Sequence, residues 1–428
     1  TAALQYIASL TKGKTISSVM QILMIYFLPH IGELNFENKA LYLGYMVKRL
    51  LDVYTNTEKE TDRDSFSQKR IEVSGSLIYK LFREYYLIQL KAIWQKIDKE
   101  YFYKANETTY QEHDFKNLII NNQNHFFSER TVEIGFRKAF KGDWGAEIHT
   151  KRAGVVQDFN RLSYFSALCQ LRKTNLPIAA DGAKIIPPRL IHSTGWGLLC
   201  PIHSPDGGNV GLHKHLSTST AITNYVSYKH YINYLKSLKH NNDYVGIKLL
   251  EECSIKFISK STKVFINGIW LGVTISPIKL CKTMRLHKRN NIIDKYTSIY
   301  FNIRHNEILI YTDSGRPIRP LFYLYNNELS YERGNIIDLY DKNDINWQHI
   351  VNGFDKNDEK YITNKKIETL EKNASIIEYI DTNEAEGIVL AKHNDERESY
   401  DKCRITHEEI HPSLILSIMA NQTIFPEH

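Results

Sequence analysis

Apolar residues recur at helical spacing through the first quarter of the chain. One stripe, with intervals of three and four residues, consists of Leu43, Met46, Val47, Leu50 and Leu51. A second stripe follows Ser74, a residue type that favours helix N-caps, and consists of Leu77, Ile78, Leu81, Phe82 and Tyr85. The polar run 55–69 between the two stripes predicts a loop. Residues 15–104 are therefore predicted to form packed helices.

Beyond Tyr225 the pattern changes to short runs of β-branched and aromatic residues, which are typical of strands. The clearest predicted hairpin joins residues 263–266 to residues 269–274. Its turn is Asn267-Gly268, a pair that suits a type I′ turn.

A second hairpin is predicted between residues 308–311 and 318–325, because Asp313, Ser314 and Gly315 are common turn residues. The chain is thus predicted to be a multidomain α+β protein, with helices first and strands dominating its last third.

Neither periodicity is maintained between residues 142 and 216. This stretch holds nine of the chain's 21 glycines and five of its 11 prolines, so its regular elements must be short. Residues 151–216 contain three acidic side chains and eight basic ones, namely Lys151, Arg152, Arg161, Arg172, Lys173, Lys184, Arg189 and Lys214. Cations on loops that glycine and proline hold close to a ligand are suited to phosphate. The stretch therefore predicts a polyanion site that positions a nucleic acid without reading its bases.

Composition places the chain among globular proteins. Its 428 residues, 42% hydrophobic and 24% charged, suffice for about two to four domains. The net charge of +7 is uneven, because residues 326–411 hold 11 Lys and Arg against 20 Asp and Glu. A cationic body suits a bound polyanion. AT-rich coding, which enriches Lys and Asn, would explain the same charge without a function.

The five cysteines are scattered and show no C-x-x-C spacing, which argues against a disulfide framework and a zinc knuckle. Reduced thiols are expected. No run approaches the roughly 18 apolar residues of a membrane helix, and the N-terminus has no signal-peptide pattern. We therefore expect a soluble intracellular protein. A start at Thr1 and an end at His428 just after an apolar run lead us to expect an internal piece of a longer chain.

Longer runs of residues carry a resemblance to one protein family. The central runs are KGDWG, KRAGVVQDFNRLSYFSALCQLRKTNLPI, PPRLIHSTGWGLLCP and SPDGGNVGLHKHLS. The flanking runs are FLPHIGELNFENKALYLGYMVKRLLDVY, ETDRDSFSQKRIEVSGSLIYKLF, VFINGIWLGV, YTDSGRPIRPLFYL, IEYIDTNEAEGIVLA and THEEIHPSLILSIMANQTIFPEH. Together they resemble the second-largest, beta-like subunit of multisubunit DNA-directed RNA polymerases, over essentially the whole chain. The central runs look most like the fork of that subunit in large DNA viruses of eukaryotes.

The resemblance implies five consecutive segments. They are the C-terminal part of a lobe (1–88), the C-terminal part of a protrusion (89–142), a fork (143–225), an external region (226–410) and the start of a hybrid-binding domain (411–428). In this reading a helical lobe and protrusion part precedes a loop-rich fork and a strand-rich external region.

The resemblance also implies nucleic-acid contacts within the fork. The residues implied to lie near RNA or DNA are Lys151, Arg152, Gln157, Arg161, Arg172, Lys173, Arg189 and Asn209. Asp206 is the candidate contact to another subunit, although it stands where the family usually has a longer glutamate. Lys173 replaces the second arginine of a usual Arg-Arg pair, which keeps the charge and loses a bidentate donor.

What the resemblance implies for the complete enzyme is template-directed nucleotidyl transfer with Mg²⁺ held mainly by the largest subunit. No catalytic residue is implied in this chain, a zinc site is expected only C-terminal to it, and neither a metal nor another cofactor is expected to bind to it. Alone, it is expected to be inactive. The implied partners are the largest and the smaller polymerase subunits, template DNA, nascent RNA and nucleoside triphosphates, without a membrane. The implied location is host cytoplasm or virion for a viral enzyme and the nucleus for a cellular one.

Several residues admit competing interpretations. A zinc site is disfavoured, because the spacing is wrong, for His192, Cys200, His203, His213 and His215. A salt-bridged surface loop is favoured over a metal pair for Asp62, Arg63 and Asp64. Core anchoring is favoured over base stacking for Trp144, Trp196 and Trp270. For the whole chain, the rival is a non-enzymatic nucleic-acid-binding protein with the same architecture.

Overall fold

The structure is a computed structural model that describes residues 2–10, 15–105, 115–177, 185–240, 243–325, 328–354, 367–392 and 405–425. Lys184, one of the eight basic residues of the stretch 151–216, lies outside the described residues. The chain folds into two compact units. The first comprises Thr1–Arg70, His192–Leu198 and Ser219–Leu414, and the second comprises Ile71–Ile191, Leu199–Thr218 and Ile415–His428.

Helices and strands are both abundant, so the α+β prediction is confirmed. The α-helices are α1 (Ala2–Leu10), α2 (Ile16–Gln21), α3 (Phe36–Tyr54), α4 (Ser74–Ala105), α5 (Phe115–Asn121), α6 (Gln123–Phe126), α7 (Thr131–Phe140), α8 (Tyr164–Leu171), α9 (Lys229–Ser237), α10 (Ile255–Lys260), α11 (Pro277–Arg289), α12 (Gly334–Asp341), α13 (Trp347–Asn352), α14 (Ile367–Lys372) and α15 (Thr382–Ala385). The strands are β1 (Lys173–Asn175), β2 (His213–His215), β3 (Ala221–Ile222), β4 (Lys239–His240), β5 (Asp243–Tyr244), β6 (Lys248–Leu249), β7 (Thr262–Ile266), β8 (Ile269–Thr274), β9 (Ser298–Asn302), β10 (Glu307–Tyr311), β11 (Pro317–Tyr325), β12 (Glu328–Leu329), β13 (Ile377–Asp381), β14 (Leu390–Ala391) and β15 (His407–Glu408). None of the helices in these described ranges combines the length and the apolar character needed to cross a bilayer.

The first unit is built on two sheets. One has five strands in the order β6-β8-β7-β10-β9, and the other centres on β11, which pairs antiparallel with β3, β12, β13 and β15. The larger core of this unit packs α9 and α11 against the five-stranded sheet, with Leu235, Leu280, Met284, Ile299 and Ile308 among its fully buried members.

The predicted hairpin at Asn267-Gly268 is confirmed as the pair β7 and β8. Both turn residues have positive φ, 48° at Asn267 and 82° at Gly268, as a type I′ turn requires. The sequence signal is strong here because few residue pairs adopt that conformation without strain.

The second predicted hairpin is wrong. Strand β10 pairs with β7 and β9, whereas β11 belongs to the other sheet. The residues between them bond elsewhere: the Gly315 N–H donates to the Thr223 carbonyl, and the buried Arg316 guanidinium pairs with Asp381 at 3.1 Å. These long-range bonds outweigh the local turn tendency.

Helix α3 is confirmed, but the predicted packing of its aliphatic stripe is wrong. The stripe is exposed, with 43% of Leu43 and 70% of Leu50 accessible. A different face packs instead, because Tyr45 lies 5.3 Å from Phe265 and 5.9 Å from Trp270, centroid to centroid. Aromatic pairing with the sheet decides which face is buried.

Buried ion pairs join elements of the first unit. Lys288 of α11 donates to both carboxylate oxygens of Glu384 at 2.9 and 2.8 Å. The adjacent Arg289 donates through Nε and Nη2 to Glu378 of β13 at 2.8 and 2.6 Å. Burial raises the pKa of Glu378, but Arg289 and neighbouring cations more than offset this and hold it well below its usual range.

Asp62 and Asp64 both have basic partners in a surface loop, so the salt-bridged interpretation is confirmed for these two residues. His192 Nε2 lies 2.7 Å from Asp62, and Lys69 lies 3.0 Å from Asp64. The hydrogen bond with His192 and that from the Asp64 N–H lower the pKa of Asp62.

The three tryptophans considered as core anchors differ in burial. Trp270 is buried in the first unit against Phe265, and Trp144 is buried in the second unit with Leu81, Tyr85 and Ala139. Core anchoring is confirmed for these two and wrong for Trp196, which is 50% exposed. Its glycine-rich surroundings turn the backbone without enclosing the ring.

Candidate nucleic-acid interface

All nine residues singled out from the sequence lie in the second unit. Four of them flank helix α8, which begins at a capping box formed by Ser163 and Ser166. The helix ends at Arg172, and Lys173 opens strand β1, which pairs with β2 in the register Lys173 to His215. The helix and the strand thus fix the backbone of the basic pair Arg172 and Lys173.

The loop before α8 is tied down by one side chain of that helix. Gln170 Nε2 donates to the Asp158 carbonyl at 2.7 Å, and Gln170 Oε1 accepts the Asn160 N–H. Within this loop the Arg161 guanidinium lies 5.5 Å from the Phe159 ring centroid, and both side chains are exposed. Arg161 is therefore held on a surface loop and remains available to a ligand.

Gln157 is brought next to β1 through a shared backbone acceptor. The Gly154 carbonyl accepts from Gln157 Nε2 at 3.0 Å and from Asn175 Nδ2 at 3.2 Å. Gly154 has a φ of +72°, and a Cβ there would lie 2.8 Å from the Asn175 amide nitrogen. The positive φ favours glycine at this position, and the shared acceptor joins the segments that carry Gln157 and Lys173.

Arg172 directs its guanidinium inward. Its Nη2 donates to the Ser217 carbonyl at 2.6 Å and to the Thr218 carbonyl at 3.3 Å. Burial lowers the pKa of this arginine. In this structure its donors hold the backbone at Ser217 and Thr218.

Arg189 is likewise bonded to backbone. Its Nη1 donates to the carbonyls of Gly208 and Val210 at 2.7 and 2.8 Å, and its Nε donates to the Ile185 carbonyl at 3.2 Å. The glycine-rich turn that it holds presents exposed Asp206 and Asn209 side chains.

Lys151 and Arg152 each pair with an acidic side chain. Lys151 pairs with Asp143 at 3.0 Å, and Arg152 pairs with Glu72. Burial raises the pKa of Glu72, but hydrogen bonding from Lys80 and the charges of Arg152 and Lys80 more than offset this and lower it. All these groups are partly exposed, so the pairs are weak and can be exchanged.

Two histidines of the glycine- and proline-rich stretch stack on each other. His203 and His215 have ring centroids 3.5 Å apart and planes within 2° of parallel. Burial, followed by the charges of His203 and Lys173, lowers the pKa of His215 to about 4. Within the described ranges, no three His, Cys, Asp or Glu side chains are arranged to hold a metal ion.

Sequence reasoning passed over Gln170 and Gly211, which shape this site, and considered Lys214 only as one of the basic residues of the stretch. Lys214 donates to the carbonyls of Pro188, at 2.9 Å, and of Gly211. A Cβ on Gly211 would lie 2.1 Å from the Arg189 carbonyl oxygen. A glycine between two basic residues of a turn-rich stretch was the available signal, but it does not identify which backbone comes close.

The site as a whole offers cations and amides on short, internally bonded loops. Arg161, Gln157 and Asn209 are exposed, and Lys173 is half-buried at the start of β1. Such groups bind phosphate and sugar oxygens without reading bases.

Comparison with protein families gives three matches, all to domains of one subunit. The description "RNA polymerase Rpb2, domain 2" matches residues 3–72, "domain 3" matches 157–222, and "domain 4" matches 264–325.

Individual relatives match almost the whole chain. DNA-directed RNA polymerase II subunit RPB2 of Eremothecium gossypii is 33% identical over 97% of this chain and 34% of its own length. The same subunit of Encephalitozoon cuniculi is 32% identical over 94% of this chain and 32% of its own length. DNA-directed RNA polymerase subunit 2 of Acanthamoeba polyphaga mimivirus is 27% identical over 95% of this chain and 34% of its own length.

These relatives include eukaryotic and viral subunits, and the chain spans about a third of their length. Three domains of a single subunit are matched in their order along the chain, within alignments that cover nearly all of it. The chain therefore belongs to the family of second-largest subunits of DNA-directed RNA polymerases.

Proposed function

We propose that this chain positions the RNA–DNA hybrid and the downstream DNA during template-directed nucleotidyl transfer by a DNA-directed RNA polymerase. One observation supports the proposal: Gln170 ties the loop that carries Arg161 to α8, and the Gly154 carbonyl joins Gln157 to Asn175 of β1, the strand that begins at Lys173. Cations and amides on a rigid support can grip a sugar–phosphate backbone in a fixed register.

The other residues proposed to contact nucleic acid differ in exposure and in the partners that their side chains have within the chain. Asn209 is exposed on its turn. Lys151 and Arg152 are joined to exposed or half-buried carboxylates, which phosphates can displace at small cost. We also propose Arg172 and Arg189 as contacts, although donors of both are directed to carbonyl oxygens in the structure.

The wider assignment follows the family. We propose that the chain comprises the lobe and protrusion segments, the fork, the external region and the start of the hybrid-binding domain, with the boundaries predicted from the sequence. Its partners are the largest subunit, the smaller subunits, template DNA, nascent RNA and nucleoside triphosphates. Magnesium ions would be held mainly by the largest subunit, and Asp206 would face a neighbouring subunit.

The test is the salt dependence of binding of a labelled RNA–DNA hybrid to the 428-residue chain. The plot of log K against log salt concentration has a negative slope, and each lost phosphate contact makes it less steep, by about 0.9 on duplex DNA. Arg161→Ala is expected to reduce the steepness by about that amount. The matched control is Lys256→Ala, because Lys256 is exposed on α10 in the first unit. Equal slopes for the two variants would refute the proposed contact surface.

A further inference from the structure

Two basic residues of the fork direct side-chain donors to backbone carbonyls. Arg189 directs Nε and Nη1 to the carbonyls of Ile185, Gly208 and Val210. Lys214 directs Nζ to the carbonyls of Pro188 and Gly211. We call these two side chains and their five acceptors the carbonyl brace.

The carbonyl brace lies where the backbone does not form the repeated hydrogen bonds of a long helix or a sheet. Its acceptors belong to or adjoin two single-turn 3₁₀ helices, Pro187–Arg189 and Gly207–Asn209. Carbonyls of such short turns need partners outside the turn, and a charged donor makes the stronger hydrogen bond. The carbonyl brace therefore supplies hydrogen-bond donors to these carbonyls, which backbone N–H groups supply in regular helices and sheets.

Close backbone contact reinforces the brace. Gly211 has a φ of +71°, and its Cα approaches the Arg189 carbonyl so closely that no Cβ fits between them. The Gly211 N–H donates to Ser204 Oγ at 2.9 Å. Residues 185–190 are thus joined to residues 204–214 by side-chain bonds and by direct contact.

We propose that Arg189 and Lys214 are positioning residues, which set the conformation of the turn that presents Asp206 and Asn209, and that neither binds phosphate. This inference rests on the proposed function, because the turn matters only if it faces the nucleic acid or a neighbouring subunit. It reassigns Arg189, which the family resemblance placed among the nucleic-acid contacts.

The first experiment measures hydrogen exchange of the amides of residues 204–214 in the 428-residue chain. Arg189→Met and Lys214→Met are each expected to accelerate exchange at least tenfold in this segment and to leave first-unit peptides unchanged. Arg189→Lys keeps the charge but loses the planar fork, so it should also accelerate exchange. Unchanged exchange in Arg189→Lys and Lys214→Met would overturn the proposal.

The second experiment measures the salt slope of hybrid binding for the same variants. A positioning role predicts slopes equal to that of the unmodified chain, with a similar loss of affinity for Arg189→Met and Lys214→Met. A drop of about 0.9 for Arg189→Met, with no change for Lys214→Met, would identify Arg189 as a phosphate ligand instead. Failure of the proposed function is distinguishable, because it removes the effect of Arg161→Ala while the exchange result stands.

Discussion

Replacement of Gly211 by alanine tests whether residues 185–190 and 204–214 are as tightly joined as the structure indicates. A Cβ at this position would lie 2.1 Å from the Arg189 carbonyl oxygen, and the φ of +71° disfavours any L side chain. The left-handed backbone costs about 1–2 kcal/mol. Relieving the contact with a backbone atom costs about another 1–3 kcal/mol.

The expected total is about 3 kcal/mol, which corresponds to an increase of roughly a hundredfold in local opening. Two neighbouring glycines separate the contributions. Gly207 has a φ of +73°, and a Cβ there would meet no atom within 4 Å, whereas Gly208 has open space and no positive φ. Gly207→Ala should therefore cost only the backbone contribution, and Gly208→Ala should be close to neutral.

The assay is hydrogen exchange of residues 204–214, measured by mass spectrometry for the three alanine variants. The expected order of exchange rates is Gly211→Ala, then Gly207→Ala, then Gly208→Ala close to the unmodified chain. Exchange of Gly211→Ala no faster than that of Gly207→Ala would refute the close approach of the two turns.

Three further expected outcomes concern buried titratable groups. Glu378→Gln should destabilise the first unit by about 3 kcal/mol in urea unfolding, because it leaves Arg289 facing a neutral amide, whereas the exposed Glu368→Gln should change little. Since the folded-state pKa of Glu378 is depressed below the usual 4.5, its contribution should be full above pH 4.5 and lost as the pH falls further, and no such loss should occur in Glu378→Gln. The pKa of His215 is depressed from 6.5 to about 4, so protection of the β1–β2 amides should be full above pH 6.5 and decline toward pH 4; a flat profile would contradict the burial of this ring beside His203.

The sequence predicted the elements whose signals are local. Asn267-Gly268 predicted its hairpin correctly because positive φ at two adjacent positions is a property of the dipeptide itself. The strands on either side of Ser314 could not be assigned to different sheets, because Arg316 and Gly315 are held by residues far away in the chain. Helical spacing located α3, but the choice of buried face depended on Phe265 and Trp270, more than 200 residues later.

In the candidate site, too, the sequence predicts some features and cannot predict others. Basic residues on glycine-rich loops indicated a polyanion surface, and family resemblance indicated which positions to consider. Neither signal distinguishes an outward cation such as Arg161 from an inward one such as Arg189, because both are arginines in loops. Only the positions of the Gly208 and Val210 carbonyls separate the two roles.

Site-specific photo-crosslinking tests the contact of Arg161 with nucleic acid most directly, in a polymerase whose second-largest subunit contains this chain, assembled on an RNA–DNA scaffold. A photoreactive phenylalanine analogue replaces Arg161 in one enzyme and Lys256 in the other. We expect a crosslink from position 161 to an RNA or DNA strand and none from position 256. Crosslinks from position 161 to polypeptide alone would contradict it.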